Sequence, residues 1–250
     1  MAGHSKWSKV KRFKGVLDAK RGKIFSRFSK EIMVAARMGG GDLNLNPRLR
    51  TAVLAARAQN MPNDTIDRAI KKGTGEIEGG IVEELMYEGY APGGVAIILD
   101  AATDNKNRTA ADIRRIFSKN HGNLAASGAV SYLFKRKGQI TLAKAGVEED
   151  KLMEIALEAG AEDLVTDEDM YVVTTSHDHL YQVGEAMKNA GIHFESQKLT
   201  FLPTTTVTLP NEELASQVLR LCDALEENDD VQNVYSNFDI SDELLAKLSS

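Results

Sequence analysis

The chain reads as an α+β protein of three domains: an N-terminal three-helix bundle, then two α/β sandwich-type domains, the third ferredoxin-like and inserted in the second. Three observations lead there. Residues 1–72 hold seventeen Lys/Arg against five Asp/Glu, a net charge of +12, whereas residues 73–250 hold fourteen against thirty-one, a net of −17. Four glycines fall within residues 73–81, where the charge changes sign, and mark a connection. The apolar period is helical before that connection and alternates between strand and helix after it. The expected domains are 1–75, 80–135 joined with 203–250, and 136–202.

In the first domain, Ile24, Phe28, Ile32 and Ala35 recur at helical steps over residues 18–38, and Lys20, Lys23, Arg27, Lys30 and Arg37 fall on the opposite arc. Arg21 projects toward the apolar side. Gly39-Gly40-Gly41 ends this helix, and Asn46-Pro47 opens the next, with Asn as N-cap and Pro in the first helical position. Leu49, Val53 and Ala56 form its core face. A third helix over 64–72 follows the break Asn60-Met61-Pro62, with Ile66, Ala69 and Ile70 inward and Lys71 and Lys72 in its last turn.

Strands are expected at 82–90 and 95–102 around the turn Ala91-Pro92-Gly93-Gly94, then a helix over 110–120 and a strand over 129–134. Residues 137–201 carry a βαββαβ cycle: strand 139–142, helix 148–159, strands 163–165 and 171–175, helix 179–189 and strand 194–201. A strand at 205–209, a helix at 212–226 and a strand at 231–238 complete the half-module begun at residue 82.

Composition narrows the chemistry. With 42% hydrophobic but only 6% aromatic residues, the cores must be mainly aliphatic. One cysteine, Cys222, excludes an intramolecular disulfide framework and a Cys-rich metal site. No apolar run approaches membrane-spanning length, and no apolar segment of the secretory kind follows the basic N-terminus, so a cytoplasmic location is expected. Gly15 and Gly22-Lys23-Ile24 fail the spacing of a phosphate loop. His177 and His179 lack further ligands at matching spacing, and ten carboxylates between Glu148 and Asp169 read as a solvated face without a Gly-punctuated calcium loop. Cys222 reads as a core residue. The chain is therefore expected not to be an enzyme and to need neither cofactor nor metal.

Binding is better supported. Ten Lys/Arg and one acid occupy residues 1–30, interleaved with Trp7, Phe13, Phe25 and Phe28. Cations neutralise phosphates and release counterions, and an exposed ring can stack on an unpaired base. Phe25 and Phe28 have core spacing, whereas Trp7 and Phe13 lie outside the periodic segment. The candidate nucleic-acid-binding residues are Lys6, Trp7, Lys9, Lys11, Arg12, Lys14, Lys20, Arg21, Lys23, Arg27, Lys30, Arg48, Arg50, Lys71 and Lys72. A helix-turn-helix reading of duplex DNA is poorly served by the third helix, which is short and begins with Asp64 and Asp67 where base-reading donors belong. A second candidate phosphate site is Asn105, Lys106, Asn107 and Arg108, ahead of a helix N-terminus. The alternative is that Asp104 or Asn107 caps that helix, or that Thr109 and Asp112 form a capping-box-like pair.

The sequence resembles the YebC family through AGHSKW at 2–7, DAKRGKIF at 18–25, VAARMGGGD at 34–42, NPRLR at 46–50, NMPNDTIDRAIKKGTGE at 60–76 and EGYAPGGVAIILDAATDNKNRT at 88–109. It departs at Ala91, where the family usually has Gly, and at Phe13, in a stretch the family fills with His and Lys. The resemblance implies three domains and a non-enzymatic role in gene expression. Members have been described as DNA-binding regulators and as ribosome-associated factors that help translation, including through proline-rich stretches. The residues favour ribosomal RNA as partner, with duplex DNA as the alternative and a protein-interaction adaptor as a further one; no membrane partner is expected.

Overall fold

The computed structural model describes residues 21–167 and 169–248. They divide into two compact units, Phe134–Leu202 and the residues on either side of it. No helix among the described residues is long and apolar enough to cross a membrane.

The chain enters through α1 (Arg21–Gly39), α2 (Pro47–Ala58) and α3 (Asn63–Thr74). Their apolar faces meet in a core of Ile32, Ala35, Ala36, Leu49, Val53, Ala56, Met61, Ile66 and Ala69, with Phe25 and Phe28 packed at its edge and only partly buried. Asn46 joins two helices. Its Oδ1 accepts from the Leu49 N–H at 3.0 Å, while its Nδ2 donates to the carbonyls of Ala35 and Gly40, both at 2.8 Å. One buried amide thus caps α2 and satisfies carbonyls at the end of α1. The third helix runs past its expected end at 72. Gly73 stays helical because α1 lies against it: a Cβ there would stand 2.5 Å from the Met33 carbonyl oxygen and 2.8 Å from the Ala36 Cβ. Gly75, in the left-handed region at φ 81°, ends the helix.

Strands β1 (Glu83–Ala91) and β2 (Val95–Thr103) form a nine-pair antiparallel hairpin over a 3₁₀ turn at Pro92–Gly94. Helix α4 (Lys106–Lys119) and the short β3 (Asn123–Leu124) follow. The strand expected at 129–134 does not form. Its amides turn instead toward the Glu88 carboxylate, which accepts from Gly128 and Val130 at 2.7 Å and from Ser131 at 2.8 Å. Ser131–Leu133 is a 3₁₀ turn as a result.

The unit at 134–202 contains β4 (Phe134–Ala143), α5 (Glu149–Glu158), β5 (Ala161–Thr166), β6 (Met170–Ser176), α6 (Leu180–Asn189) and β7 (Ser196–Pro203). Its sheet order is β5-β6-β4-β7, the ferredoxin-like arrangement expected from the βαββαβ cycle. Ile140, Leu142, Val173, Leu152, Val183 and Met187 build its aliphatic core.

The chain then returns through β8 (Val207–Thr208), α7 (Glu212–Glu226), β9 (Val231–Ser236), β10 (Phe238–Asp239) and α8 (Asp242–Leu248). The expected strand at 231–238 is interrupted at Asn237, whose Oδ1 accepts the Ala96 N–H at 2.7 Å. β9 completes a sheet of order β3-β1-β2-β9, and β8 pairs with β10 in parallel rather than extending over 205–209. On β2, Val95, Ile97, Leu99 and Ala101 face Ile113 and Phe117 of α4 and Val218, Leu221 and Leu225 of α7. Ala96 and Ile98, on the opposite face, are also fully buried, and α1 packs against this strand. Burial on both faces explains the uninterrupted apolar run from Val95 to Leu99.

Candidate nucleic-acid interface

Helix α1 owes its cationic row to spacing. Lys23, Arg27 and Lys30 stand at i, i+4 and i+7, within one narrow arc. Candidates for phosphate contact by their place on the arc opposite the apolar face, all three are half-buried in the structure. The row lies across the end of α7. Lys23 Nζ donates to the Glu227 carbonyl, Arg27 Nη2 to the Glu226 carbonyl, and Lys30 Nζ to the Asp229 carbonyl at 2.8 Å. A helix C-terminus exposes unpaired carbonyls and the negative end of the helix dipole, so cations are drawn to it. Lys30 also pairs with Asp230 Oδ1 at 2.6 Å.

Asp230 is almost fully covered and gathers further donors. Thr109 Oγ1 donates to its Oδ2 at 2.7 Å and Arg108 Nη2 at 3.0 Å, with Thr103 Oγ1 at 3.3 Å. Burial alone would raise its pKa. The hydrogen bonds from Lys30, Thr109 and Arg108 outweigh it and push the value down to about 2. The cations fare differently. Desolvation lowers the pKa of Arg27, and it lowers that of Lys23 with help from the Arg27 charge. Arg27 Nε is buried without a hydrogen-bond partner.

Arg48 was expected to face a polyanion; its guanidinium instead holds two carboxylates of the protein. Nε and Nη2 bind Glu31 at 2.8 and 3.0 Å, and Nη2 and Nη1 bind Glu84 of β1 at 2.5 and 3.2 Å. Burial disfavours its charge, but Glu84 and Glu31 more than compensate and raise its pKa. Arg50 reaches the carbonyls of Leu43 and Asn44 at 3.3 and 3.4 Å. Lys71 and Lys72 are exposed, as expected, and Arg68 joins them at i, i+3, i+4 on the outer face of α3. Arg68 is not among the candidates the sequence singles out, although its helical spacing to Lys71 and Lys72 is legible there. Lys6, Trp7, Lys9, Lys11, Arg12, Lys14 and Lys20 lie outside the described residues, as does the side chain of Arg21.

At the second candidate site the helix begins earlier than expected, and its cap is Asn105 rather than Asp104, Asn107 or Thr109. Asn105 Oδ1 accepts the Arg108 N–H at 3.1 Å, and the Asn105 N–H donates to Thr103 Oγ1 at 2.9 Å. Lys106 pairs with Glu83 at 2.9 Å, and Arg108 with Asp104 and Asp230, both at 3.0 Å. The cradle is thus lined with the protein's own carboxylates, while Asn107 stays exposed. Beside it lies a cleft of about 500 Å³ bordered by Lys30, Lys72, Asp104, Arg108, Asp229 and Asp230, with Met33 and Val82 also in its wall.

Two family models match the chain. One, described as the TACO1/YebC protein N-terminal domain, covers residues 5–76, and the other, described as the TACO1/YebC second and third domain, covers residues 82–238. Among curated relatives, proteins named "probable transcriptional regulatory protein" from Syntrophobacter fumaroxidans and Desulfotalea psychrophila are each 55% identical over 249 residues, covering 100% of both chains. A crystal structure of a conserved hypothetical protein from Aquifex aeolicus is 50% identical, with a TM-score of 0.83 over 90% of this chain and 93% of that one.

Proposed function

The chain belongs to the TACO1/YebC family, and from that premise we propose that it is a non-enzymatic, nucleic-acid-binding regulator of gene expression that contacts ribosomal RNA as a translation factor. The observation that carries this reading is the charge partition, +12 over residues 1–72 against −17 over the rest. A polyanion is the partner such a segment recognises, and the acidic remainder discourages unspecific adhesion to nucleic acid. The phosphate-contacting residues are the exposed Arg68, Lys71 and Lys72 of α3, the cations of residues 6–21, and the α1 row Lys23, Arg27 and Lys30 once it is free.

Single-stranded or looped RNA is favoured over duplex reading by α3. Asp64 and Asp67 stand exposed at its N-terminal end, where a recognition helix would present donors to base edges. The second reading, a duplex-binding transcriptional regulator, is supported by the names of the relatives. Sedimentation with ribosomes, run beside retention on a promoter duplex, separates the two. The proposal expects the protein in the ribosomal pellet at low salt and its release as salt rises. Retention on the duplex with no ribosome association would replace it with the transcriptional reading.

A further inference from the structure

We infer that the C-terminal end of α7 and the turn that follows it, residues 226–229, with Asp230 behind them, form an internal competitor for nucleic acid: they occupy the α1 cations with their own oxygens, and an RNA backbone displaces them. The inference rests on the proposed reading of Lys23, Arg27 and Lys30 as phosphate contacts. Three main-chain carbonyls and one carboxylate face that row, an arrangement of oxygens that stands in for phosphates.

The stand-in is incomplete. Among these hydrogen bonds the three cations have one carboxylate between them, itself shared with Arg108, and the other acceptors are neutral carbonyls; the carboxylates of Glu226, Glu227 and Asp229 act on Lys23 or Arg27 through space. Arg27 Nε has no hydrogen-bond partner. Charged acceptors make stronger hydrogen bonds to a guanidinium or ammonium than neutral ones do, so phosphate oxygens would serve this row better than the carbonyls of Glu226, Glu227 and Asp229. The cleft beside Lys30 opens a way in, and Lys72 on its rim supplies a further cation for an arriving phosphate. In the absence of RNA the contact joins the Arg48–Glu84 pair in holding the basic bundle against the β1–β2 sheet; RNA binding exchanges one set of oxygens for the other and releases α1 from α7. Because only a fraction of molecules is open at any moment, the contact weakens apparent RNA affinity by that fraction.

The test uses the full chain and a fluorescein-labelled single-stranded RNA. Asp230→Asn should bind this probe on the order of tenfold more tightly than wild type. Glu212→Gln, the same loss of charge at the far end of α7, should change binding by less than about twofold. Glu227→Gln keeps the main-chain carbonyl but removes an exposed carboxylate that attracts Lys23, so it should move affinity in the direction of Asp230→Asn, which keeps the test intact if the buried variant folds poorly. Dyes on Ala58→Cys of α2 and Ser118→Cys of α4, both exposed, with the buried Cys222 left unlabelled, should lose energy transfer as RNA saturates the protein. Unchanged transfer at saturation, or Asp230→Asn and Glu227→Gln binding no better than Glu212→Gln, overturns the inference. The combined Lys23→Ala, Arg27→Ala, Lys30→Ala variant separates the two levels. If it binds RNA as wild type does, the reading of α1 as a phosphate contact fails, and the inference with it. If it binds more weakly while the other variants are silent, the reading stands and only the competition is refuted.

Discussion

Asp230 and Glu88 are buried carboxylates kept ionised by opposite means. Asp230 is held by side chains from elements far apart in sequence, Lys30 of α1 and Arg108 and Thr109 of α4. Glu88 is held by three backbone N–H groups of one loop, whose hydrogen bonds lower its pKa against the burial that raises it. Both folded-state pKa values are lowered from the groups' ordinary values, so both groups stabilise the fold above those values and lose the contribution as pH falls through the folded value. For Asp230, a drop from 3.8 to about 2 corresponds to roughly 2 kcal/mol, present at neutral pH and lost between pH 4 and 2. Denaturant melts of wild type and Asp230→Asn should therefore differ by about that amount at neutral pH and converge in acid; a constant gap would refute the assignment. Glu88→Gln leaves a neutral amide before the three N–H groups. Hydrogen exchange should accelerate at Gly128, Val130 and Ser131, with α1–α3 unaffected.

At the scale of elements, the helix ends were partly legible in the sequence. Asn46-Pro47 announces its own cap because proline, favoured in the first helical position, fixes where the helix begins. Ahead of α4, four capping residues crowd positions 104–109, and the choice depends on where β2 stops. Thr103, fully buried at the end of that strand, takes the Asn105 N–H, and so Asn105 becomes the cap. Asn105→Ala should cost about 0.5–2 kcal/mol in a thermal or denaturant melt, and Asn107→Ala less than about 0.5. The reverse order would show that the helix starts elsewhere. Gly73 reads in sequence as the first residue of a linker, yet it is the contact point of α1 and α3. Gly73→Ala should destabilise the bundle by about 1–3 kcal/mol, because the added methyl meets backbone and cannot be relieved by a rotamer change.

For the whole molecule, the opposed charges of the two ends do more than address a partner. Acidic groups and carbonyls at the end of α7 lie on the basic helix, so some of the +12 is spent inside the chain. Salt should then act on both RNA binding and the internal contact. Replacing Arg68, Lys71 and Lys72 with Ala should reduce the slope of log affinity against log salt by about 2, at roughly 0.7 for each single-strand phosphate no longer neutralised. Anisotropy titrations over a range of salt would measure it, and an unchanged slope would remove α3 from the interface. Melting should change little, since all three side chains are exposed.

Several features followed from local chemistry alone: the charge partition, the amphipathic period of α1, the Asn46 cap and the βαββαβ order. Each depends on neighbours within a few turns or on the succession of elements, and such information is carried by spacing. What the α1 cations touch was settled only by tertiary structure. Spacing places Lys23, Arg27 and Lys30 on one arc, but Glu227 comes 204 residues after Lys23, and no periodicity links the two. The same holds for Arg48, which looked free until Glu31 and Glu84 were brought to either side of it. A cation's location on a helix is a local property, whereas its partner is whatever oxygen the fold delivers, because charge acts through space and not along the chain.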